Sequence, residues 1–120
     1  MSANENWMSV CKVDDLVDNS GVCALVNDTQ VALFKLHIAG EDQVLAISNW
    51  DPFGEANVLY RGLVASITSE ESPERYVVAS PLYKQRFCLM TGECVDDPSA
   101  SVSVYPARVV GDKVELGIAS

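Results

Sequence analysis

The sequence predicts an all-β fold, a small antiparallel sandwich or barrel, on three observations. Apolar and polar residues alternate with period two along most of the apolar stretches, the spacing that sends successive side chains to opposite faces of a strand. Turn-forming residues cut the chain at short intervals. No stretch carries an i, i+3, i+4, i+7 apolar stripe through three helical turns.

Strands are expected over residues 8–13, 21–27, 30–38, 44–48, 63–67, 75–80, 86–89, 101–110 and 113–118. After the first of them, "VDDLVDNSG" is expected to make one helical turn following Asp14, since aspartate caps well, and to stop at Gly21. "NDT" at 27–29 and "GD" at 111–112 are short hairpin signals, and "MTGE" at 90–93 is a further turn. "SNWDPFG" (48–54) and "ASPLYKQRF" (79–87) each end an apolar strand in a proline loop set among large rings. "TSEESPER" (68–75) holds three glutamates, two serines and a proline, and is expected to project into water as a hairpin excursion. "DDPSA" (96–100) leads into the terminal hairpin. Neither polar stretch divides the chain, so residues 1–120 are expected to form one domain.

A chain of 120 residues with 48% hydrophobic and 21% charged residues can bury a modest core and lies far from the composition of disorder. Its net charge of −9, from 17 acidic and 8 basic side chains, opposes binding to nucleic acid or to an anionic membrane. "MSANENWMSV" lacks the basic start and apolar core of a signal peptide, and no run approaches the roughly 20 apolar residues that span a bilayer. The cytoplasm is the expected compartment. Cys11, Cys23, Cys88 and Cys94 form no C-x-x-C pair, the spacing of zinc sites and redox dithiols. Cys11, Cys23 and Cys88 read as small core residues, whereas Cys94, after "TGE", is expected to be more exposed and open to labelling as a regulatory thiol.

Taken in order, an apolar strand, a proline loop, "VLYRGLV", a hairpin, "YVVAS", a second proline loop and "QRFCLMTGEC" resemble Rieske-type ferredoxin domains. In that family the loops read C-x-H and C-x-x-H, and two thiolates and two imidazoles hold a two-iron, two-sulfur cluster. On this chain the first motif falls on Asp51-Pro52-Phe53 and the second on Ser80-Pro81-Leu82-Tyr83. The family's "L-x-x-G" is met by Leu59-Tyr60-Arg61-Gly62, and its "F-x-L-x-T-G-E" by the residues from Phe87 to Glu93. More narrowly, "GVCALVNDTQVALF", "AISNWDPF", "VLYRGLVAS" and "ASPLYKQRF" together resemble the small-subunit family of NAD(P)H-dependent, siroheme-type nitrite reductases, in the version without cluster ligands.

The resemblance implies a Rieske-like fold, vestigial ligand positions at Asp51, Phe53, Ser80 and Tyr83, no metal or cofactor in this chain, and no catalytic residue of its own. It implies as partner a large subunit carrying FAD, siroheme and an iron-sulfur cluster, which reduces nitrite to ammonia. Phe53 has no donor atom, and Ser80 and Tyr83 offer only neutral hydroxyls, so the donor set needed for iron is missing. The single histidine, His37, lies far in sequence from both loops.

With no metal to order them, the loops must rely on Pro52 and Pro81, which fix φ, and on Trp50, Phe53 and Tyr83. Those rings either fill the volume a cluster would take or remain exposed as anchors for a partner. Arg61, Lys84 and Arg86 flank the loops, either as a basic spot that steers docking or as partners of carboxylates such as Glu55 and Glu93. Two functions therefore compete: an accessory subunit, and a stand-alone β-domain that takes a small anion or metabolite at the vacant cluster site. An acid-base pair of Asp51 and Tyr83 is conceivable, but a proline-flanked aspartate belongs more often to a turn.

Overall fold

The computed structural model describes residues 5–26, 28–38, 40–69, 72–82 and 84–119. In chain order β1 (Glu5–Lys12) leads through a 3-10 turn (Val13–Asp15) to β2 (Gly21–Val26), β3 (Thr29–Ile38) and β4 (Glu41–Ser48). Two short strands, β5 (Trp50–Asp51) and β6 (Ala56–Asn57), and a second 3-10 turn (Leu59–Arg61) precede the hairpin of β7 (Leu63–Ser69) and β8 (Ser72–Ala79). Then come β9 (Arg86–Cys88), β10 (Val104–Tyr105), β11 (Ala107–Val110) and β12 (Lys113–Ala119). The strands form antiparallel sheets of order β1-β12-β11, β10-β4-β3-β2 and β7-β8-β9, with β5-β6 as a separate two-stranded ribbon.

The run "VALF" in β3 shows why the sheets stack as they do. Val31, Ala32, Leu33 and Phe34 are all buried, so this strand does not alternate. A strand without a polar face must be covered on both sides. Val31 and Leu33 pack with Val114 and Leu116 of β12, while Ala32, Phe34 and Leu36 pack with Leu59, Val78 and Phe87 on the opposite face. The four-stranded sheet is thus the middle layer, and the second cluster lies directly beneath the proline loops.

Several sequence expectations change here. The strand expected over 101–110 is two: β10 pairs with β4 and β11 with β12, and they meet at Pro106. Proline cannot donate to a ladder, and the chain changes sheets at that residue. "TSEESPER" closes a hairpin as expected, but the strands run further into it than 63–67 and 75–80: β7 runs through Ser69 and β8 begins at Ser72, with a register shift between Ile67 and Ser69. Its two remaining residues, Glu70 and Glu71, lie outside the described residues. The single helical turn starts at Val13 rather than after Asp14; its N-cap is Lys12, whose N–H donates to the carboxylate of Asp15, third in the turn, at 2.9 Å. The first strand begins at Glu5 rather than residue 8.

Cysteine placement also differs from the expectation. Cys94 is 2% exposed and belongs to the cluster under the loops, so the turn after "TGE" brings it inward. Cys88 is buried as expected, but Cys11 and Cys23 are only partly so. Burial pushes both of those thiols up from their ordinary range, Cys11 further through the neighbouring Asp15 charge, which keeps them as poor nucleophiles at neutral pH.

Candidate functional site

The site is the loop end of the molecule, and Asn49 sets its geometry. This residue follows β4 directly and is completely buried. Its N–H bonds to Gln30 O at 3.0 Å, its carbonyl accepts from Leu59 N at 3.1 Å, and its side-chain oxygen accepts from Tyr60 N at 2.7 Å. Its amide nitrogen donates to Gln30 Oε1 at 3.1 Å and reaches the Cys23 sulfur at 3.5 Å. One amide thereby ties β2 and β3 to the 3-10 turn of Leu59–Arg61. Sequence reasoning missed Asn49. The available signal was an asparagine ending an apolar strand, where an unpaired amide would be costly to bury.

The "L-x-x-G" stretch now has a physical reason. A Cβ on Gly62 would overlap the carbonyl oxygen of Ala79 and crowd Val78, so only glycine lets the turn pass this close to β8. Leu59, fully buried, anchors the same turn in the core.

The two loops are built to one plan. In the first, Asp51 Oδ1 accepts from the N–H groups of Phe53 (2.9 Å) and Gly54 (3.2 Å), and Asp51 O accepts from Glu55 N at 2.7 Å. In the second, Ser80 Oγ accepts from Leu82 N at 3.2 Å, and Ser80 O accepts from Lys84 N at 3.0 Å. Glu55 and Lys84, each fourth after the residue that organises its loop, occupy the left-handed region with φ of 52° and 63°. Short side chains that mimic a backbone acceptor are what make such turns from Asp and Ser.

These organising residues are the two positions where the family's motif has cysteine, and they meet. The Ser80 hydroxyl donates to Asp51 Oδ2, and both residues are buried. Leu82 lies against Gly54, where an added Cβ would strike its side chain. A hydrogen bond and an apolar contact therefore join the loops.

The residues do not fit a two-iron, two-sulfur cluster. At the thiolate positions stand a carboxylate and a hydroxyl already bonded to each other, and at one imidazole position Phe53 presents hydrocarbon. Tyr83, at the other, lies outside the described residues. His37 sits six residues along β3 from Val31, whose partner Ser48 leads into the first loop, hence about 20 Å away. Its Nδ1 is 3.0 Å from Asp42 Oδ1 at the solvent-exposed opposite end of the sheet.

The aromatic residues divide between the two roles expected for them. Phe53 turns inward, its ring 6.2 Å from that of Phe87, while Trp50 remains 43% exposed. The basic trio divides too. Arg86 forms a fork with Asp96 at 2.7 and 3.1 Å, and its N–H adds a third bond at 2.9 Å, so its partner is neither Glu55 nor Glu93. Arg61 donates from Nε to its neighbour Tyr60 Oη at 2.8 Å and covers that ring, and neither Arg61 nor Lys84 forms an ion pair among the described residues. These two cations border a cavity of about 320 Å³ beside Ser80.

Hydrogen bonds from the Arg86 side chain and then from its N–H hold the Asp96 carboxyl below the usual carboxylate range. A depressed folded-state value means that the pair adds stability above the unfolded carboxylate value of about 3.9 and loses it as pH falls through the folded one. A carbon-detected NMR titration is expected to give Asp96 a midpoint below that reference. Both partners are exposed by more than a third, so Asp96→Asn is expected to cost under about 1 kcal/mol by urea unfolding.

Three sheets with two serially related proline loops over a shared core define the class: a Rieske-like [2Fe-2S] domain, whose family model matches residues 6–117. Within it, the chain belongs to the family of nitrite reductase (NADH) small subunits. It is 50% identical over 110 residues to the protein of that name from Escherichia coli K12, covering 92% of this chain and 95% of the relative. The Salmonella typhimurium counterpart is equally similar, over the same shares of both chains. Among solved structures, the Mycobacterium tuberculosis putative NADH-dependent nitrite reductase small subunit superposes with a TM-score of 0.82 at 39% identity, over 97% of each chain. The E. coli protein NirD gives 0.79 at 46% identity, over 97% of this chain and 99% of that one. A Klebsiella oxytoca protein named nitrite reductase [NAD(P)H] large subunit is 37% identical over 111 residues, which are 92% of this chain but 11% of that protein.

Proposed function

We propose that this chain is a non-redox subunit that binds and supports the large catalytic chain of a cytoplasmic NAD(P)H nitrite reductase. In this reading FAD, siroheme and an iron-sulfur cluster reside in the large chain, which reduces nitrite to ammonia, and the small chain contributes contact surface only. The observation that carries it is the Ser80–Asp51 hydrogen bond at the paired cysteine positions, for a domain whose ligand sites are spent on each other has no means of passing electrons. The Klebsiella relative adds support. A stretch similar to nearly all of this chain occurs within a protein named as the large subunit.

Co-expression with the large subunit tests the reading. The chains are expected to co-purify, and nitrite-dependent NADH oxidation to fall when the small chain is omitted. A large chain equally active alone contradicts it. The non-redox part has its own test: after anaerobic reconstitution with iron and sulfide the isolated small chain is expected to stay colourless, and stoichiometric iron with a visible absorption band refutes it. A second reading, a free-standing domain that takes a small anion, is favoured by the cavity between Arg61 and Lys84. A thermal shift on adding nitrite or nicotinamide nucleotide to the isolated chain distinguishes it.

A further inference from the structure

We infer that Arg61 and Lys84 form a socket for a carboxylate side chain on the surface of the large subunit, and that apolar neighbours of that carboxylate cover Leu63 and Leu82. The inference rests on the small-subunit reading and gives it a docking face. It begins from charge. In a chain of net charge −9, Lys35, Arg86 and Arg108 are paired with Asp18, Asp96 and Glu115. Arg61 and Lys84 form no such pair among the described residues, and both border one cavity whose remaining walls contain no carboxylate. A basic spot selects an acidic counterpart, and a second copy docked face to face through the same spot would set like charges against each other.

The Arg61 guanidinium and the Lys84 backbone are held before any partner arrives. The Nε bond to Tyr60 Oη and the contact with the Tyr60 ring, 5.4 Å from its centroid, restrain the Arg61 guanidinium, and its terminal nitrogens form no ion pair among the described residues. A planar fork of that kind suits a carboxylate. Lys84 sits at φ 63°, a conformation that residues with a side chain rarely adopt, and its N–H is fixed to Ser80 O. Glycine or asparagine would occupy that position with less strain, and backbone strain of this sort is concentrated at functional positions. Fixing the guanidinium and the backbone that carries Lys84 in advance lowers the entropy lost on association.

The walls determine what kind of occupant fits. Leu63 is 79% exposed, and Pro81 and Leu82 are exposed beside it. A free anion at two water-exposed cations gains little and leaves those apolar groups in water. A protein surface excludes water from both at once, which strengthens the charge pair and removes apolar area from solvent.

The test is a binding titration of the purified small chain against the intact large subunit at low and high salt. Wild-type affinity is expected to fall as salt rises. The double variant Arg61→Glu, Lys84→Glu is expected to bind about thirtyfold more weakly with a flatter salt dependence, and Leu63→Ser several-fold more weakly. The conservative exchange Arg61→Lys, Lys84→Arg is expected to stay near wild type. All are surface changes, and an unaltered circular dichroism spectrum and melting curve confirm the fold. If the wild type binds and the charge-reversed variant binds equally well, the socket is refuted and the small-subunit reading stands. If the wild type does not bind at any salt, both fall. Binding of nitrite or inorganic phosphate to the isolated chain, abolished in the double variant while large-subunit affinity is unchanged, assigns the cavity to a free anion and overturns the inference.

Discussion

Asn49→Ala is expected to destabilise the protein by about 3 kcal/mol, lowering the melting temperature by about 10 °C in a domain of this size. The change creates a small cavity at the buried Asn49, and it also leaves Tyr60 N–H, which now bonds to the amide oxygen at 2.7 Å, without an acceptor in a partly buried setting. Gln30 and Cys23 are nearer to solvent and can be rehydrated, so most of the cost falls on the 3-10 turn. Asn49→Asp separates the contributions. It keeps an acceptor for Tyr60 N–H but sets a carboxylate against Gln30 Oε1, so it should cost less at the turn and more at β3. A melting curve for Asn49→Ala within about 1 kcal/mol of wild type would falsify the assignment of Asn49 as the hub of the loop end. Because Arg61 follows Tyr60 directly, the same variant should also weaken large-subunit binding, although Asn49 is fully buried.

Which features the sequence revealed follows from the physics that carries each of them. Alternation, turn residues and "L-x-x-G" are local patterns, and they located β2, β3, β4, the body of the β7–β8 hairpin and the closing hairpin within a few residues. The Rieske-like loops were legible because two prolines and two scaffold motifs recur in fixed order. What failed was of two kinds. Residues 101–110 read as one strand, yet the switch of β10 and β11 between sheets at Pro106 depends on tertiary partners that no local pattern encodes. "TSEESPER" read as an excursion beyond the strands because its residues are polar, although polar residues can still pair in a ladder, and the pairing runs on to Ser69 and Ser72. Cys94 was misjudged for the same reason. A turn residue is exposed by default, but the Phe87–Cys94 bridge folds this one back against the core. Arg86 and Asp96 are ten residues apart, with a turn between them, so their fork could not be foreseen from spacing.

Asp51→Ala is expected to cost about 3 kcal/mol, Ser80→Ala about 2 kcal/mol, and the double variant clearly less than their sum. Asp51 serves three donors: Phe53 N–H and Gly54 N–H organise its own loop, and the Ser80 hydroxyl crosses to the other. Removing the aspartate therefore loosens a turn and a tie together, whereas removing the serine hydroxyl leaves Asp51 Oδ2 buried and unpaired. If the cross-loop bond has replaced a metal as the fastener between loops, the two losses overlap, and a coupling energy of about 1–2 kcal/mol is expected from urea unfolding of the full cycle. Asp51→Asn supplies the control. Its side-chain oxygen still accepts from Phe53 and Gly54, and its amide can donate to a Ser80 hydroxyl that has rotated to accept, so this variant should retain most of the stability. Strict additivity of the alanine variants would mean that Phe53 on Phe87 and the cross-loop contact of Leu82 with Gly54 suffice to hold the loops, and that the bond between the former ligand positions adds nothing to them. Hydrogen exchange distinguishes the same alternatives locally. With a real tie, Ser80→Ala should speed exchange at Phe53 and Gly54, residues on the loop that was not mutated.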